Sequence, residues 1–276
     1  MLKPVRHRTI VDHLAQSGTA TVADLAELTR TSAVTVRKDL RELHELGLLR
    51  RAHGGALSLE DSPLYEPPNV ERLGQLAAEK RAIARYTFRN FVTEDDVIFL
   101  DAGTTTLEIA RELALARPRL TVVTNSILVT SVLHTVPSVH LLVTGGEHRE
   151  GVASLVGDWL EYALSTVRVG TVFLGANAVD AEAGITTPNL LEAEAKRAMI
   201  RAASRVVLVA DHTKLGRTSF AFVAPVSSVD VLLTDERAPT VKLEPFQRVD
   251  GLSVELAPVE DDPDEAAGNG RRNGSA

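Results

Sequence analysis

Cysteine is absent from the 276 residues, which rules out disulfides and cysteine-ligated metal. No apolar run approaches the roughly 18 residues a membrane span requires. Met1 to Ile10 carries basic side chains but no apolar h-region, so no secretory signal is expected. These absences suit a reducing, cytoplasmic setting. The eight histidines, His134, His140, His148 and His212 among them, show no metal-ligand spacing. No metal and no cofactor are therefore expected. No internal repeat is visible either.

What remains is an ordinary globular balance, 44% hydrophobic and 24% charged. At roughly 100–200 residues per domain the length suggests two domains. The net charge of −7 argues against a nucleic-acid binder until its distribution is examined. Residues 1–58 hold nine Lys/Arg and six Asp/Glu, a balance of +3. The remainder holds 21 bases and 31 acids, a balance of −10. That asymmetry suggests that the first segment meets an anion.

Pro4 to Gln16 reads as a helix, with Val5, Ile10, Val11 and Leu14 near one face and Ser17-Gly18 as its stop. Thr21 followed by Asp24 resembles a helix N-cap, with Val22, Leu25 and Leu28 as the inner face of a short helix ending near Thr29. Ser32 caps a third helix whose inner face is Val36, Leu40 and Leu43, with Gly47 placed to stop it. Leu48 to Leu57 reads as a hairpin turning at or beside Gly54-Gly55. The expected divisions are a winged helix-turn-helix over residues 1–58, a proline-bearing linker over 59–69, an α/β domain over 70–257 and a disordered tail over 258–276.

Within the α/β domain a helix is expected over Val70–Phe91. Short apolar runs follow at Val97–Leu100, Leu120–Thr124, Val139–Thr144, Val169–Leu174, Arg205–Ala210 and Val229–Thr234. Helical stretches near Thr105–Ala116, Ser126–Thr135, Leu155–Ser165 and Pro188–Ala203 separate several of them. Such alternation implies a mostly parallel sheet covered on both faces.

With Val36, Leu40 and Leu43 inward, the third helix offers Ser32, Thr35, Arg37, Lys38, Arg41 and His44 outward. Arginine supplies a planar fork for guanine or phosphate, and lysine and threonine anchor the DNA backbone. Arg50, Arg51 and His53 on the hairpin would add a basic wing. A solvated charged helix in a small bundle would explain the helix alone, but accounts less well for helix and hairpin together.

Asp101-Ala102-Gly103-Thr104-Thr105-Thr106 follows a strand and opens a helix, a place where free N–H groups and the helix dipole favour an anion. The same turn would also serve as a plain strand–helix junction. It is not a Walker loop, because no Gly-Lys-Ser/Thr follows. Asn125, Gly145-Gly146, Asn177 and Lys214 also lie after strands, where open α/β sheets bind ligands. Glu192 and Lys196, four apart on a helix, fit either an exposed ion pair or a site.

The stretch TSAVTVRKDLRELHELG at 31–47, continuing as LLRRAHGGA, resembles the signature of the DeoR/GlpR family of bacterial sugar-metabolism repressors. So do LDAGTTT at 100–106, VVTNS at 122–126, TGG at 144–146, FLGAN at 173–177, GITTPNLLEAEAKRAM at 184–199 and ADHTKLG at 210–216. The resemblance implies a repressor that binds double-stranded operator DNA as a dimer or tetramer and is released by a sugar phosphate. It implies a sensor domain similar to the ribose-phosphate isomerase and glucosamine-phosphate deaminase fold. Effector contacts would then come from Asp101, Gly103, Thr104, Thr105, Thr106, Asn125, Gly146, Asn177, Glu192, Lys196 and Lys214. The rival is a sugar-phosphate isomerase or deaminase. Where the isomerases have an Asp-Gly-x-Asp loop this chain has Leu174-Gly175-Ala176-Asn177, non-acidic at both positions, although Asp101, Glu192 and Asp211 remain. A DNA-binding architectural protein with an inert second domain is a third reading, which the glycine–threonine loop disfavours.

Overall fold

The computed structural model describes residues 1–45, 48–52, 54–58 and 64–260. Gly47, His53, residues 59–63 of the expected linker and residues 261–276 of the expected tail lie outside the described residues. The chain divides into two compact units, Met1–Glu66 and Pro67–Ala276.

The first unit runs α1 Lys3–Ser17, β1 Thr19–Thr21, α2 Val22–Thr29, α3 Ala33–Glu45, β2 Arg50–Ala52 and β3 Gly55–Leu57. Each boundary has a local cause. Gly18 takes a positive φ of 73° and closes α1 by donating to the Leu14 carbonyl. Thr21 and Asp24 form a reciprocal capping box at the start of α2. Arg30, left-handed at φ 50°, ends α2 and turns the chain toward α3, whose Thr35 N–H donates to Ser32 Oγ. The three strands pair antiparallel in the order β1-β3-β2. A side chain at Gly55 would run into the Ala20 carbonyl oxygen, so glycine is what lets β3 lie beside β1. Ile10, Leu14, Leu25, Val36, Leu40 and Leu43 form one core. Val5 and Leu28, expected on inner faces, are exposed instead. Each sits at the edge of its helical stripe.

The second unit contains α4 Asn69–Arg72, α5 Ala77–Phe91, β4 Val97–Leu100, α6 Thr104–Ala116, β5 Leu120–Thr124, α7 Ile127–Leu133, β6 Val139–Val143, β7 Glu147–Arg149, β8 Ser154–Val156, α8 Asp158–Ser165, β9 Val169–Gly175, β10 Ala178–Asp180, β11 Gly184–Thr187, α9 Leu190–Ala202, β12 Ala203–Val209, β13 Ala221–Ala224, β14 Val231–Asp235, α10 Thr240–Gln247 and β15 Ser253–Ala257. The expected single helix over Val70–Phe91 is two helices. Leu76 is left-handed, φ 51°, and breaks the run between them. Asn69, assigned to the linker, is buried and belongs to the second unit, donating to the carbonyls of Gly151 and Val152. Leu155 and Val156, expected to begin a helix, lie in β8, and the helix starts only at Asp158.

Seven strands form one sheet in the order β15-β14-β12-β9-β4-β5-β6, and every neighbouring pair is parallel. Alternate residues feed two cores. Ile98, Leu100, Phe173, Val207 and Val209 pack with Ile83 of α5, Ile109 and Leu113 of α6 and Val129 of α7. Phe99, Val172, Leu174, Val206 and Leu208 pack with Leu160 of α8, Met199 of α9 and Phe246 of α10. Both faces are therefore covered, as parallel sheets require. Strand order reverses at β4. The chain steps to β5 and β6 on one side, then returns to β9 on the other, leaving a crevice at the carboxyl ends of β4 and β9.

Candidate functional site

In the first unit the outward face of α3 is basic and open. Arg37, Lys38, Arg41 and His44 are exposed, as are Arg50 and Arg51 on β2. His44 is tied to the hairpin through Nδ1, 3.1 Å from the Leu49 carbonyl oxygen. Ser32 and Thr35 are partly engaged with each other, their hydroxyls 2.9 Å apart. The pattern reading left out Val34, which is 73% exposed on the first turn of α3. An apolar side chain there has the chemistry to meet a thymine methyl.

Asp39 was also missed. It is 2% exposed, on the inner side of a helix whose neighbouring residues are basic. Arg6 grips it through Nε at 2.6 Å and through a second guanidinium nitrogen at 3.0 Å, and His7 Nε2 lies 3.0 Å away. Burial alone would raise the Asp39 carboxyl. The Arg6 and His7 hydrogen bonds and charges outweigh it and hold the carboxyl below its usual range. The sequence signal was present, because 36, 39, 40 and 43 share one helical face. His7, Asp39 and Glu42 place ligand-type atoms within 4.8 Å of one another, a grouping the histidine spacing did not suggest. Arg6 already neutralises Asp39 and Lys3 pairs with Glu42, so the cluster reads as an ion-pair network joining α1 to α3.

In the second unit all strands of the large sheet are parallel, so the loops after β4, β5, β6, β9 and β12 emerge at one edge. They carry Asp101–Thr106, Asn125, Gly145–Gly146, Asn177 and Asp211–Lys214. At the crevice, Asp101 is fully buried and paired with the Lys196 ammonium. One Asp101 oxygen also accepts from Gly175 N–H at 3.0 Å and the other from Ala102 N–H at 2.7 Å. Lys196 donates in turn to the Gly175 carbonyl at 2.9 Å. The pair thus fastens the end of β9 to the end of β4. Desolvation pushes the Asp101 carboxyl up, opposed by the charge and hydrogen bond of Lys196.

Of the two readings of the Glu192–Lys196 spacing, the exposed ion pair is not what forms: both residues are buried and each has another partner. Glu192 turns to Arg149 at 2.8 Å and to the Ser154 hydroxyl, while Lys196 turns to Asp101. Sequence spacing finds neighbours on a helix. It cannot find better partners delivered by another strand.

The start of α6 is the open feature of this edge. Gly103 occupies its N-cap position with no side-chain cap. Among the described residues the N–H groups of Thr104 and Thr105 have no acceptor. The Thr106 hydroxyl donates to the Gly103 carbonyl at 3.0 Å. Gly103 has extended backbone that any residue adopts, and an added Cβ would meet only Thr106 Oγ1 at 3.4 Å. Neither backbone strain nor crowding demands glycine there. Gly146 is the opposite case, with φ 131° and a Cβ position 2.5 Å from the Val156 carbonyl oxygen. Packing explains that glycine without a ligand.

Asn125 is fully buried. Its Nδ2 donates to the Leu155 carbonyl at 3.1 Å, and its Oδ1 has no partner among the described residues. Asn177 is half-buried and accepts from the Thr187 hydroxyl at 3.0 Å. Lys214 lies 4.0 Å from Asp211 with a quarter of its side chain exposed. Asp211 itself caps the following turn through Thr213 N–H at 3.1 Å. All three carboxylates left to the enzyme reading are therefore engaged: Asp101 by Lys196, Glu192 by Arg149, Asp211 by its turn.

Comparison with known proteins adds independent findings. Residues 6–62 match the model of the DeoR-like helix-turn-helix domain, and residues 75–236 that of the DeoR C terminal sensor domain. The chain is 38% identical over 239 residues to an HTH-type transcriptional regulator, GlpR, of Haloferax volcanii, covering 85% of this chain and 91% of that one. It is 35% identical over 254 residues to a putative aga operon transcriptional repressor of Escherichia coli O157:H7, covering 91% and 93%. Among solved structures it is similar, at 17% identity and TM-score 0.37, to ribose 5-phosphate isomerase A of Methanocaldococcus jannaschii, covering 52% of this chain and 54% of that one. Both curated relatives are regulators by name, which sets the enzyme reading aside.

Proposed function

This chain belongs to the DeoR family of transcriptional regulators, and from that premise we propose that it represses a sugar-catabolic operon and leaves its operator when a phosphorylated sugar binds. The first unit reads DNA through α3, with Arg37 and Arg41 as forks for bases or phosphates and Lys38 and Thr35 on the backbone. Val34 adds an apolar contact, and Arg50 and Arg51 contribute a basic wing. The second unit holds the effector at the loop edge of the sheet. The phosphate sits on Gly103–Thr106 with Lys214 as a cationic partner, and Asn125 and Asn177 meet sugar hydroxyls. Asp101, Glu192 and Lys196 shape the site through the pairs described above, and Gly146 does so by packing.

The observation that carries this reading is the uncapped start of α6 at the crossover edge, with a glycine the fold itself does not require. Helix N–H groups there suit a dianion, and a buried acceptor without a partner, Asn125 Oδ1, suits a hydroxyl donor nearby. In a dimer or tetramer two reading heads meet two half-sites, and effector binding shifts the population that spans them. A cytoplasmic site of action goes with this function, and no described helix is long and apolar enough to cross a membrane.

The test is operator release followed by fluorescence anisotropy, with sugar phosphates set against the same sugars unphosphorylated. Only the phosphates are expected to release DNA. Gly103→Ala is expected to fold, bind operator and lose the response. Equal action of free and phosphorylated sugars would sink the reading.

A further inference from the structure

Lys80, on α5, is 4% exposed, and among the described residues no carboxylate lies within ion-pair distance of it. An ammonium has three N–H donors. Two are engaged by the carbonyl oxygens of Arg72 and Gln75, at 2.7 and 2.6 Å. The third has no acceptor among the described residues. A buried cation with no counter-charge in contact is costly, so its retention asks for a reason.

Its surroundings supply one. The charges acting on Lys80 are those of Asp211, Lys214, Arg72 and Glu108. Its helix neighbour Glu79 is turned away to Arg237 at 2.6 Å. Asp211 and Lys214 belong to the loop after β12. Glu108 lies one turn beyond Thr104 on α6. The ammonium therefore sits in the field of both elements assigned to the phosphate. Burial dominates and pulls it down to about 8, so around pH 8 part of the population is uncharged and an arriving anion favours the charged form.

The two carbonyls it holds are equally informative. Arg72 and Gln75 flank the break between α4 and α5, beside left-handed Leu76. This is the stretch by which the chain enters the second unit from the first. Its head is anchored separately, by Asn69 N–H on the Gly151 carbonyl at 2.8 Å and Arg72 on Asn69 Oδ1 at 2.9 Å. One ammonium thus fastens the tail of the entry segment and has a donor left over.

We propose that Lys80 is a ligand of the effector's anionic group and the residue that couples anion binding to the Arg72–Gln75 segment. This rests on the reading of Gly103–Thr106 and Lys214 as the anion site. When the anion docks, it accepts from the spare donor and holds the whole population in the charged form, taking up only the fraction of a proton missing beforehand; its pull on the ammonium weakens the hold on the two carbonyls. The entry segment loosens, and the change passes along the chain toward the reading unit.

Inorganic phosphate serves as the probe, by calorimetry at pH 8 in buffers of different ionisation enthalpy. The full-length parent is expected to bind phosphate with net uptake of about half a proton, because a group titrating near 8 becomes fully charged. Lys80→Met is expected to bind about tenfold more weakly with no uptake. Hydrogen exchange at the Leu73 and Gln75 amides is expected to quicken with phosphate in the parent and not in the variant. Lys80→Arg, permanently charged, is expected to keep most of the affinity and lose the uptake, and it decides the matter if Lys80→Met does not fold. Proton uptake persisting in the folded Lys80 variants would overturn the inference. So would undiminished phosphate affinity in Lys80→Met while Lys214→Ala and Gly103→Ala lose theirs, and that result leaves the anion site standing. If none of the variants changes affinity, the anion site itself falls and the coupling falls with it.

Discussion

The two units handle charge in opposite ways. On α3 the arginines and lysine stand in solvent, while the one buried acid, Asp39, is satisfied from α1 by Arg6 and His7. At the sheet edge of the second unit the charged side chains are inside, and Asp101, Lys196, Glu192 and Arg149 already answer one another. DNA is a polyanion that binds across a solvated surface and displaces counterions there. A small anion has few atoms to recognise, so its site must be built before it arrives. It follows that removing the exposed bases of α3 should affect binding, whereas breaking the buried Asp101–Lys196 pair should affect folding.

The largest expected effect tests the second half of that contrast. Lys196→Met leaves Asp101 buried without its partner and is expected to destabilise the second unit by about 3–5 kcal/mol, measured by urea unfolding. Adding Asp101→Leu should recover much of the loss, because replacing a buried pair with apolar groups is often neutral. A loss below about 1 kcal/mol in the single variant would mean the pair is not what holds β4 to β9.

Next in size are the surface bases. Arg37→Ala or Arg41→Ala is expected to weaken operator binding by about 1–3 kcal/mol where a bidentate base contact is lost. Folding stability should stay within about 0.5 kcal/mol of the parent. Lys38→Ala should mainly flatten the salt dependence of binding. Normal operator affinity in a folded triple-alanine variant would remove α3 as the reading helix.

Acid sensitivity should separate the units as well. The Asp39 carboxyl is held below its ordinary value, so it stabilises the first unit above the unfolded carboxyl's range near 4. That contribution disappears as pH falls through the lowered folded value. The Asp101 carboxyl is shifted the other way, so its protonation on acidification favours the folded second unit. Asp39→Asn should cost the first unit about 1–2 kcal/mol at pH 7 and abolish its steepest acid loss, read by circular dichroism against pH. An unchanged acid profile would show that the tie to α1 is not a source of stability.

The smallest effect is local. Thr21→Ala removes one arm of the capping box and is expected to cost about 1 kcal/mol in the first unit, with no change in the response to phosphate. Any loss of that response would contradict the division of labour between the units.

Much of the architecture was legible in advance. The six strand runs read from the sequence are strands of the large sheet, because buried parallel strands are short continuous apolar stretches with no competing pattern. The edge strand β15 was missed, and the smaller strands β1, β7, β8, β10, β11 and β13 were not read. The smaller ones are three or four residues each, without alternation long enough to show. The break at Leu76 was hidden because 70–91 contains neither proline nor a run of turn residues, apart from Gly74. Among candidate site residues, the open helix start at Gly103–Thr106 was visible as a motif. Asp39, Lys80 and the true partners of Glu192 and Lys196 were not, because their partners lie between 5 and 95 residues away.

By itself, then, the sequence determined the order of elements, the caps that bound them, the placement of positive charge in the first 58 residues and the family. Those are local or compositional properties, carried by residues a few positions apart. Only the tertiary structure decided which charges meet. It sent Lys196 to Asp101 and Glu192 to Arg149, drew Arg6 and His7 onto Asp39, and left one donor of Lys80 without a partner among the described residues. The physical reason is that ion pairing depends on distance in space and on burial, and parallel strand order brings together loops that the chain keeps far apart.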